Sequence, residues 1–223
     1  MRLGLFGGSF DPVHYGHLLL AECCREQCRL ERVLFLPAAV PPHKQDRRLT
    51  LASARVEMLQ LAIAGHAAFD VNRYEIDRGG VSYTVETLRH FRGEDPDGEL
   101  FLLVGADTLH DLPNWREAER VCQLATPVVV RRPGAGEPDF GCLAGLVSPE
   151  RIERIRRHQV DMPQIDSSSS EIRRRVGAGL SIRYQTPRAV EKYIETHQVY
   201  GERARPTGEH RAPPGEREEG KGC

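Results

Sequence analysis

The sequence has no apolar run of the roughly 20 residues that a membrane-spanning helix needs, so no membrane partner is expected. It has no excess of positive charge: 31 Lys and Arg face 32 Asp and Glu, for a formal net charge of −1. The basic imbalance of a nucleic-acid binder is missing, and no nucleic-acid partner is expected. It has six cysteines in 223 residues but no Cys-x-x-Cys pair, which argues against a zinc ribbon and a thioredoxin-like redox motif. Cys24 and Cys28 lie four apart in a helical pattern with no second pair beside them, and read as small helix residues in a reducing compartment. The N-terminus carries one Arg and a short apolar stretch, without the small-residue cleavage pattern of a secretory leader. Cytoplasmic residence is the expectation.

What is present is an alternation of short buried strands and helices. Residues Arg2 to Phe6 (RLGLF) predict a strand, a helix follows from His14 or Tyr15 (YGHLLLAECCREQC), and Arg32 to Leu36 predicts a second strand ended by Pro37. Strand, glycine loop, helix, strand is the opening of a parallel α/β unit. The apolar spacing of Leu51, Val56, Leu59 and Ile63 predicts a helix over Thr50 to Ala64. Short strands are expected at Phe69 to Asn72 and Tyr74 to Asp77, a helix at Thr84 to Phe91, and buried strands at Leu100 to Val104 and Pro127 to Val130. Helices are expected at Ser148 to His158 and Ser170 to Val176, and one more after Thr186-Pro187, read as an N-cap and a first-turn proline. The fold class is α/β: a doubly wound, mostly parallel sheet with helices on both faces. From Glu202 onward the chain is nearly devoid of apolar residues, so residues 1–201 read as the domain and 202–223 as a disordered tail.

The segment GGSFDPVHYGH, residues 7 to 17, carries the chemistry. It follows the first strand, where ligands of such sheets bind. Gly7 and Gly8 let backbone amides approach an anion, and the helix behind them presents unpaired N–H groups and a positive dipole end. His14 and His17, three apart, share a helix face and can donate to phosphate oxygens. The pattern is not Gly-x-Gly-x-x-Gly, not a P-loop, and not His-Glu-x-x-His, so dinucleotide binding of the ordinary kind, P-loop chemistry and zinc hydrolysis are not supported, and no metal ligands are assigned. The histidines are either helix caps or phosphate ligands, and their company favours phosphate. A second anion cradle is read at SSSSEIRRR, residues 167 to 175, where hydroxyls precede a helix N-terminus and Arg173 lies one turn in.

The first segment resembles the signature of the nucleotidyltransferases marked by a His-x-Gly-His motif, here His14-Tyr15-Gly16-His17, and among them the bacterial nicotinate-nucleotide adenylyltransferases. The resemblance extends over residues 1 to about 200. It implies a Rossmann-like nucleotidyltransferase fold and the partners ATP and nicotinate mononucleotide, with Mg²⁺ arriving on ATP. On the ATP side it implies Gly7, Gly8, Ser9, Phe10, His14, His17, Lys44, Gly105, Asp107, Ser168, Ser169, Ser170 and Arg173. On the acceptor side it implies Tyr83 and Thr84 in GGVSYTVETL, Trp115 after Gly-Ala-Asp, and Arg132 in RRPG. Ser82 and Thr84 read equally as helix caps, and capping and ligand contact can coexist. The family pattern Ile-Ser-Ser-Thr-x-Ile-Arg is met with two departures, Ser167 for isoleucine and Ser170 for threonine.

The reaction implied is in-line attack by the acceptor phosphate on the α-phosphorus of ATP, giving deamido-NAD and pyrophosphate. It needs positioning and charge stabilisation and no protein nucleophile. His14, His17, Lys44 and Arg173 are the catalytic set implied. The alternatives are a sibling enzyme using nicotinamide mononucleotide or a pantetheine phosphate, and a nucleotide-binding module without catalysis.

Overall fold

The computed structural model describes residues 1–42, 49–131 and 136–201. The expected tail, 202–223, lies outside the described residues. Six strands form one sheet: β1 (Arg2–Gly8), β2 (Arg32–Pro37), β3 (Phe69–Val71), β4 (Glu99–Gly105), β5 (Thr126–Arg131) and β6 (Gln159–Asp161). The helices are α1 (Tyr15–Gln27), α2 (Ala52–Ile63), α3 (Tyr74–Arg78), α4 (Thr84–Glu94), α5 (Ala106–Asp111), α6 (Ala118–Leu124), α7 (Pro149–Arg156), α8 (Ser169–Gly177) and α9 (Arg188–Thr196).

The strand order is β3-β2-β1-β4-β5-β6, and every pairing is parallel. This is the doubly wound arrangement expected from the alternation of strands and helices. Period-two alternation feeds both faces. Phe6, Val33, Phe35, Phe101, Leu103 and Val128 pack under α1, α2, α8 and α9, whereas Leu3, Leu5, Leu34, Leu36, Leu102 and Val129 pack under α4, α5, α6 and α7. The order reverses between β1 and β4, so a crevice opens beyond their carboxyl ends, at Gly8 and Gly105.

Two expectations fail locally. Tyr74 to Asp77 is the helix α3, not a strand. Asn72 Oδ1 accepts the Tyr74 N–H at 2.8 Å and turns the chain, and the residue that α3 buries is Glu75, not an alternating apolar set. Thr186 does not cap α9: its hydroxyl donates to the Val13 carbonyl at 2.7 Å, and Pro187, extended at ψ 145°, holds the N-cap position. The strand β6 was not anticipated; three residues with a single buried one, Val160, leave almost no periodic signal.

Candidate active site

The chain leaves β1 through Ser9-Phe10-Asp11-Pro12-Val13 before entering α1. Phe10 sits at φ 47° and the Asp11–Pro12 peptide is cis. Side chains from distant elements hold the carbonyls of this turn. Arg55 on α2 donates to Ser9 O at 2.9 Å, Arg173 on α8 to Asp11 O, Ser169 to Pro12 O at 2.8 Å, and Thr186 to Val13 O at 2.7 Å. The C=O and N–H of a trans peptide point in opposite directions, so pinning the carbonyls of Ser9 and Pro12 also fixes the N–H groups of Phe10 and Val13.

At the start of α1 the two histidine rings stack, with centroids 3.7 Å apart and planes 28° from parallel. The Phe10 ring meets His17 edge-on at 5.0 Å. His14 is buried and holds the N-cap position, and His17 is half-buried. Gly16 leaves room beside the stack: a Cβ there would lie 3.0 Å from Cε1 and Nδ1 of His14, close enough that the ring would have to give by a few tenths of an ångström. The His14 N–H donates to Nδ1 of His17 at 3.3 Å. An accepting Nδ1 places the ring proton on Nε2, which makes Nε2 a donor. Capping and phosphate binding are therefore compatible uses of His17: one nitrogen caps, and the other remains a donor.

The serine run abuts this turn. Ser168 caps α8, its hydroxyl accepting the Glu171 N–H at 3.2 Å. Ser170 Oγ accepts from Arg173 Nη2 at 3.1 Å, and Ser167 donates to Gln185 O at 3.4 Å. Tyr15 N–H shares that Gln185 carbonyl at 3.2 Å. Segments more than 150 residues apart thus meet at one anion-ready corner built from two helix N-termini.

Across the crevice, Gly105 ends β4 and caps α5, with Asp107 exposed in its first turn. Tyr83 and Trp115 pack against the α4–α6 side of the core, and the Arg116 guanidinium lies 4.6 Å over the Tyr83 ring. Neither Ser82 nor Thr84 caps α4. Tyr83 is at the N-cap without a side-chain cap bond, and Ser82 Oγ accepts the Ala39 N–H at 2.9 Å. Lys44 and Arg132 lie outside the described residues.

Three residues of this region were not among the sequence candidates. Arg55 is 1% exposed and donates to three carbonyls, those of Thr50, Ser9 and Ala38. Burial pushes its pKa down, against the pull of Asp11. Its signal in the sequence was an arginine on the apolar side of α2, beside Val56 and Leu59. Tyr200 donates to Asp11 Oδ1 at 2.6 Å, closing the C-terminal end of the fold onto the first turn, and no motif announces it. Glu75 is buried at 6% exposure on α3, where its Oε1 accepts the Thr87 hydroxyl of α4 at 2.7 Å.

A fold of this order, with a glycine-histidine turn at the switch point facing a Ser-rich helix N-terminus, defines the nucleotidyltransferase class. The chain belongs to the cytidylyltransferase-like family, whose sequence model matches residues 5–175. Within it, the chain is 46% identical over 199 residues to a probable nicotinate-nucleotide adenylyltransferase of Thermomicrobium roseum, covering 89% of this chain and 91% of that one. It is 47% identical over 200 residues to a protein of the same description from Thermus thermophilus, covering 90% of this chain and all of the relative. The nicotinic acid mononucleotide adenylyltransferase of Plasmodium falciparum, solved with NaAD, shares the fold at a TM-score of 0.69 and 17% identity, over 89% of this chain and 96% of that one.

Proposed function

We propose that the protein is a nicotinate-nucleotide adenylyltransferase, transferring AMP from ATP to nicotinate mononucleotide with release of pyrophosphate. The observation that carries this reading is the convergence of the His14–His17 pair and the α8 N-terminus on one turn at the switch point, supported by the relatives' names. An acceptor phosphate oxygen forms a bond to the α-phosphorus while the bond to the β-phosphate bridge oxygen breaks, and pyrophosphate carries away the electron pair. His17 Nε2–H stabilises charge on the α-phosphate as it develops, and His14 supports the phosphates beside it. Arg173 and Lys44 offset charge on the departing pyrophosphate, with the backbone from Gly7 to Phe10, Gly105, Asp107 and Ser168 to Ser170 completing the ATP side. Tyr83, Thr84, Trp115 and Arg132 hold the acceptor. No nucleophilic side chain enters.

Among the described residues no group of three or more His, Cys, Asp or Glu side chains is arranged to hold a metal ion. In this reading Mg²⁺ arrives with the substrate, as MgATP. Residues 1–201 are taken as the catalytic unit.

Pyrophosphate release with MgATP, comparing nicotinate and nicotinamide mononucleotides, tests the assignment. Strong preference for the acid is expected; release with neither overturns it. His17→Ala is expected to lower kcat by about a hundredfold or more with the fold intact, because the lost donor acts in the transition state. Near-normal turnover would remove His17 from the mechanism.

A further inference from the structure

Arg116 follows Trp115 in the connection between α5 and α6, and no step of the transfer uses it. Its guanidinium lies 4.6 Å over the Tyr83 ring. It therefore joins two residues proposed to hold the acceptor: Tyr83, at the N-cap of α4, and its own chain neighbour Trp115. Its side chain is 52% exposed, so the charge stands at the surface, open to a ligand.

The acidic side chains bonded into this cluster do not cancel that charge. Arg116 Nη1 donates to Glu86 Oε1 at 3.1 Å. The other oxygen of the same carboxylate lies 2.7 Å from Arg78 Nη1, so two guanidinium groups share Glu86. Arg78 is placed in turn by the Val81 carbonyl, which accepts from its Nη2 at 2.6 Å. Glu117, next to Arg116 in the chain, is taken by Arg89, whose Nη1 donates to it at 3.1 Å. Glu119 and Arg120, further along α6, offset each other. Arg78, Arg89 and Arg116 thus face Glu86 and Glu117, and one positive charge is left over beside Tyr83. The Tyr83 ring face and Glu86 together hold the Arg116 cation in place.

We propose that Arg116 is a specificity-determining residue: its unbalanced charge against the Tyr83 ring favours an acceptor whose pyridine ring carries a carboxylate over one whose ring carries an amide. The inference rests on the acceptor-binding role proposed for Tyr83 and Trp115. The guanidinium touches the Tyr83 ring, so a carboxylate resting against that ring feels it over less than the screening length of about 8–10 Å. A charge this exposed is weakened by the surrounding water, so its effect is a few-fold preference and not one of many orders of magnitude.

The test measures affinity for nicotinate and nicotinamide mononucleotides with saturating MgATP in wild type, Arg116→Gln and Arg116→Lys, alongside KM for ATP and melting temperature. Affinity for the amide is read as its KM or, where turnover is too slow, as its Ki against the acid. Arg116→Gln is expected to lower the acid-to-amide affinity ratio by about threefold to tenfold, through weaker binding of the acid, with KM for ATP within about twofold of wild type. Arg116→Lys keeps the charge and is expected to hold the ratio within about twofold. A residue that only braced Tyr83 would weaken both acceptors together and leave the ratio unchanged. Raising NaCl from about 0.05 to 0.5 M should lower the ratio in wild type, which carries the same expectation should Arg116→Gln not fold. An unchanged ratio in Arg116→Gln, a wild-type ratio insensitive to salt, a ratio lost as fully in Arg116→Lys as in Arg116→Gln, or a wild-type protein binding both acceptors equally overturns the inference alone. A wild-type protein releasing pyrophosphate with neither acceptor overturns the proposed function as well.

Discussion

Tyr200→Phe isolates one hydrogen bond without changing shape. The hydroxyl donates to Asp11 Oδ1 at 2.6 Å, and Asp11 is 4% exposed, so water has little access to replace the lost donor. Among the described hydrogen bonds the Asp11 carboxylate has one further donor, the Thr50 N–H at 3.4 Å on the other oxygen, which is a weak contact. Burial and the Asp11 carboxylate both push the Tyr200 pKa up, so the hydroxyl stays protonated and donating across ordinary assay conditions. A hydrogen bond to a charged acceptor contributes about 1.5–3 kcal/mol. For a domain of about 200 residues each kcal/mol corresponds to about 2–4 °C, so the melting temperature is expected to fall by about 4–8 °C. Urea denaturation should show the same loss of about 2 kcal/mol with an unchanged m-value. Turnover should change much less, because Arg173 still holds the Asp11 carbonyl and Tyr200 itself is given no contact with substrate. A chain ending at Gly201 should match the full-length protein, and one ending at Val199 should be at least as unstable as Tyr200→Phe. A Tyr200→Phe variant within about 0.5 kcal/mol of wild type would refute the view that the C-terminal residues secure the first turn.

Gly16→Ala places a methyl 3.0 Å from the His14 ring and should displace the histidine stack. Turnover is expected to fall by about tenfold to a hundredfold with little loss of melting temperature, as read by pyrophosphate release and calorimetry. Arg55→Met fills the same space and leaves three carbonyls without their guanidinium, so a loss of about 3 kcal/mol or more is expected by urea denaturation. Glu75 should give a pH-dependent stability difference between wild type and Glu75→Gln. A carboxyl whose folded pKa is raised contributes stability fully below its unfolded pKa, and that contribution is lost as pH rises through the folded value. Wild type should therefore lose melting temperature relative to Glu75→Gln as pH rises from about 4, the unfolded value, and a flat difference would contradict the raised pKa.

The sheet was legible because parallel strands buried on both faces leave continuous apolar runs, such as LFLLV at β4 and RVLFL at β2. The segments that meet at the first turn were legible because glycines, histidines and serines cluster at the ends of those elements, where helix N-termini must fall. What escaped had weak or misleading local signals. YEID is too short for its alternation to separate a strand from a single helical turn, and the deciding contact, Asn72 on the Tyr74 N–H, comes from outside it. The Thr186-Pro187 pair has the composition of a cap, but a tertiary partner, the Val13 carbonyl, took the hydroxyl. Arg55 was passed over because helical periodicity counts apolar residues. A charged side chain on the apolar side of α2 marks the place where backbone carbonyls are buried with no ladder to receive them.

The turn itself shows which contributions decide its shape. Phe10 at φ 47° is a non-glycine residue in the left-handed region, at a cost of about 1–2 kcal/mol. Its ring is 1% exposed, packed edge-on against Phe6 at 5.4 Å and against His17 at 5.0 Å, so burying it offsets that cost by about 1.5–3 kcal/mol. Four side-chain donors then hold the carbonyls of Ser9, Asp11, Pro12 and Val13, each contributing about 1 kcal/mol or more. Those donors come from α2, from α8 and from Thr186 just before α9, so the backbone that would meet phosphate is shaped by elements outside the motif. A transplanted GGSFDPVHYGH segment lacking Arg55, Ser169, Arg173 and Thr186 would keep the histidines and lose the clamps that oppose relaxation of Phe10. In the proposed function the motif marks where the chemistry is placed, and the distant donors determine whether its amides and histidines are aimed when ATP arrives.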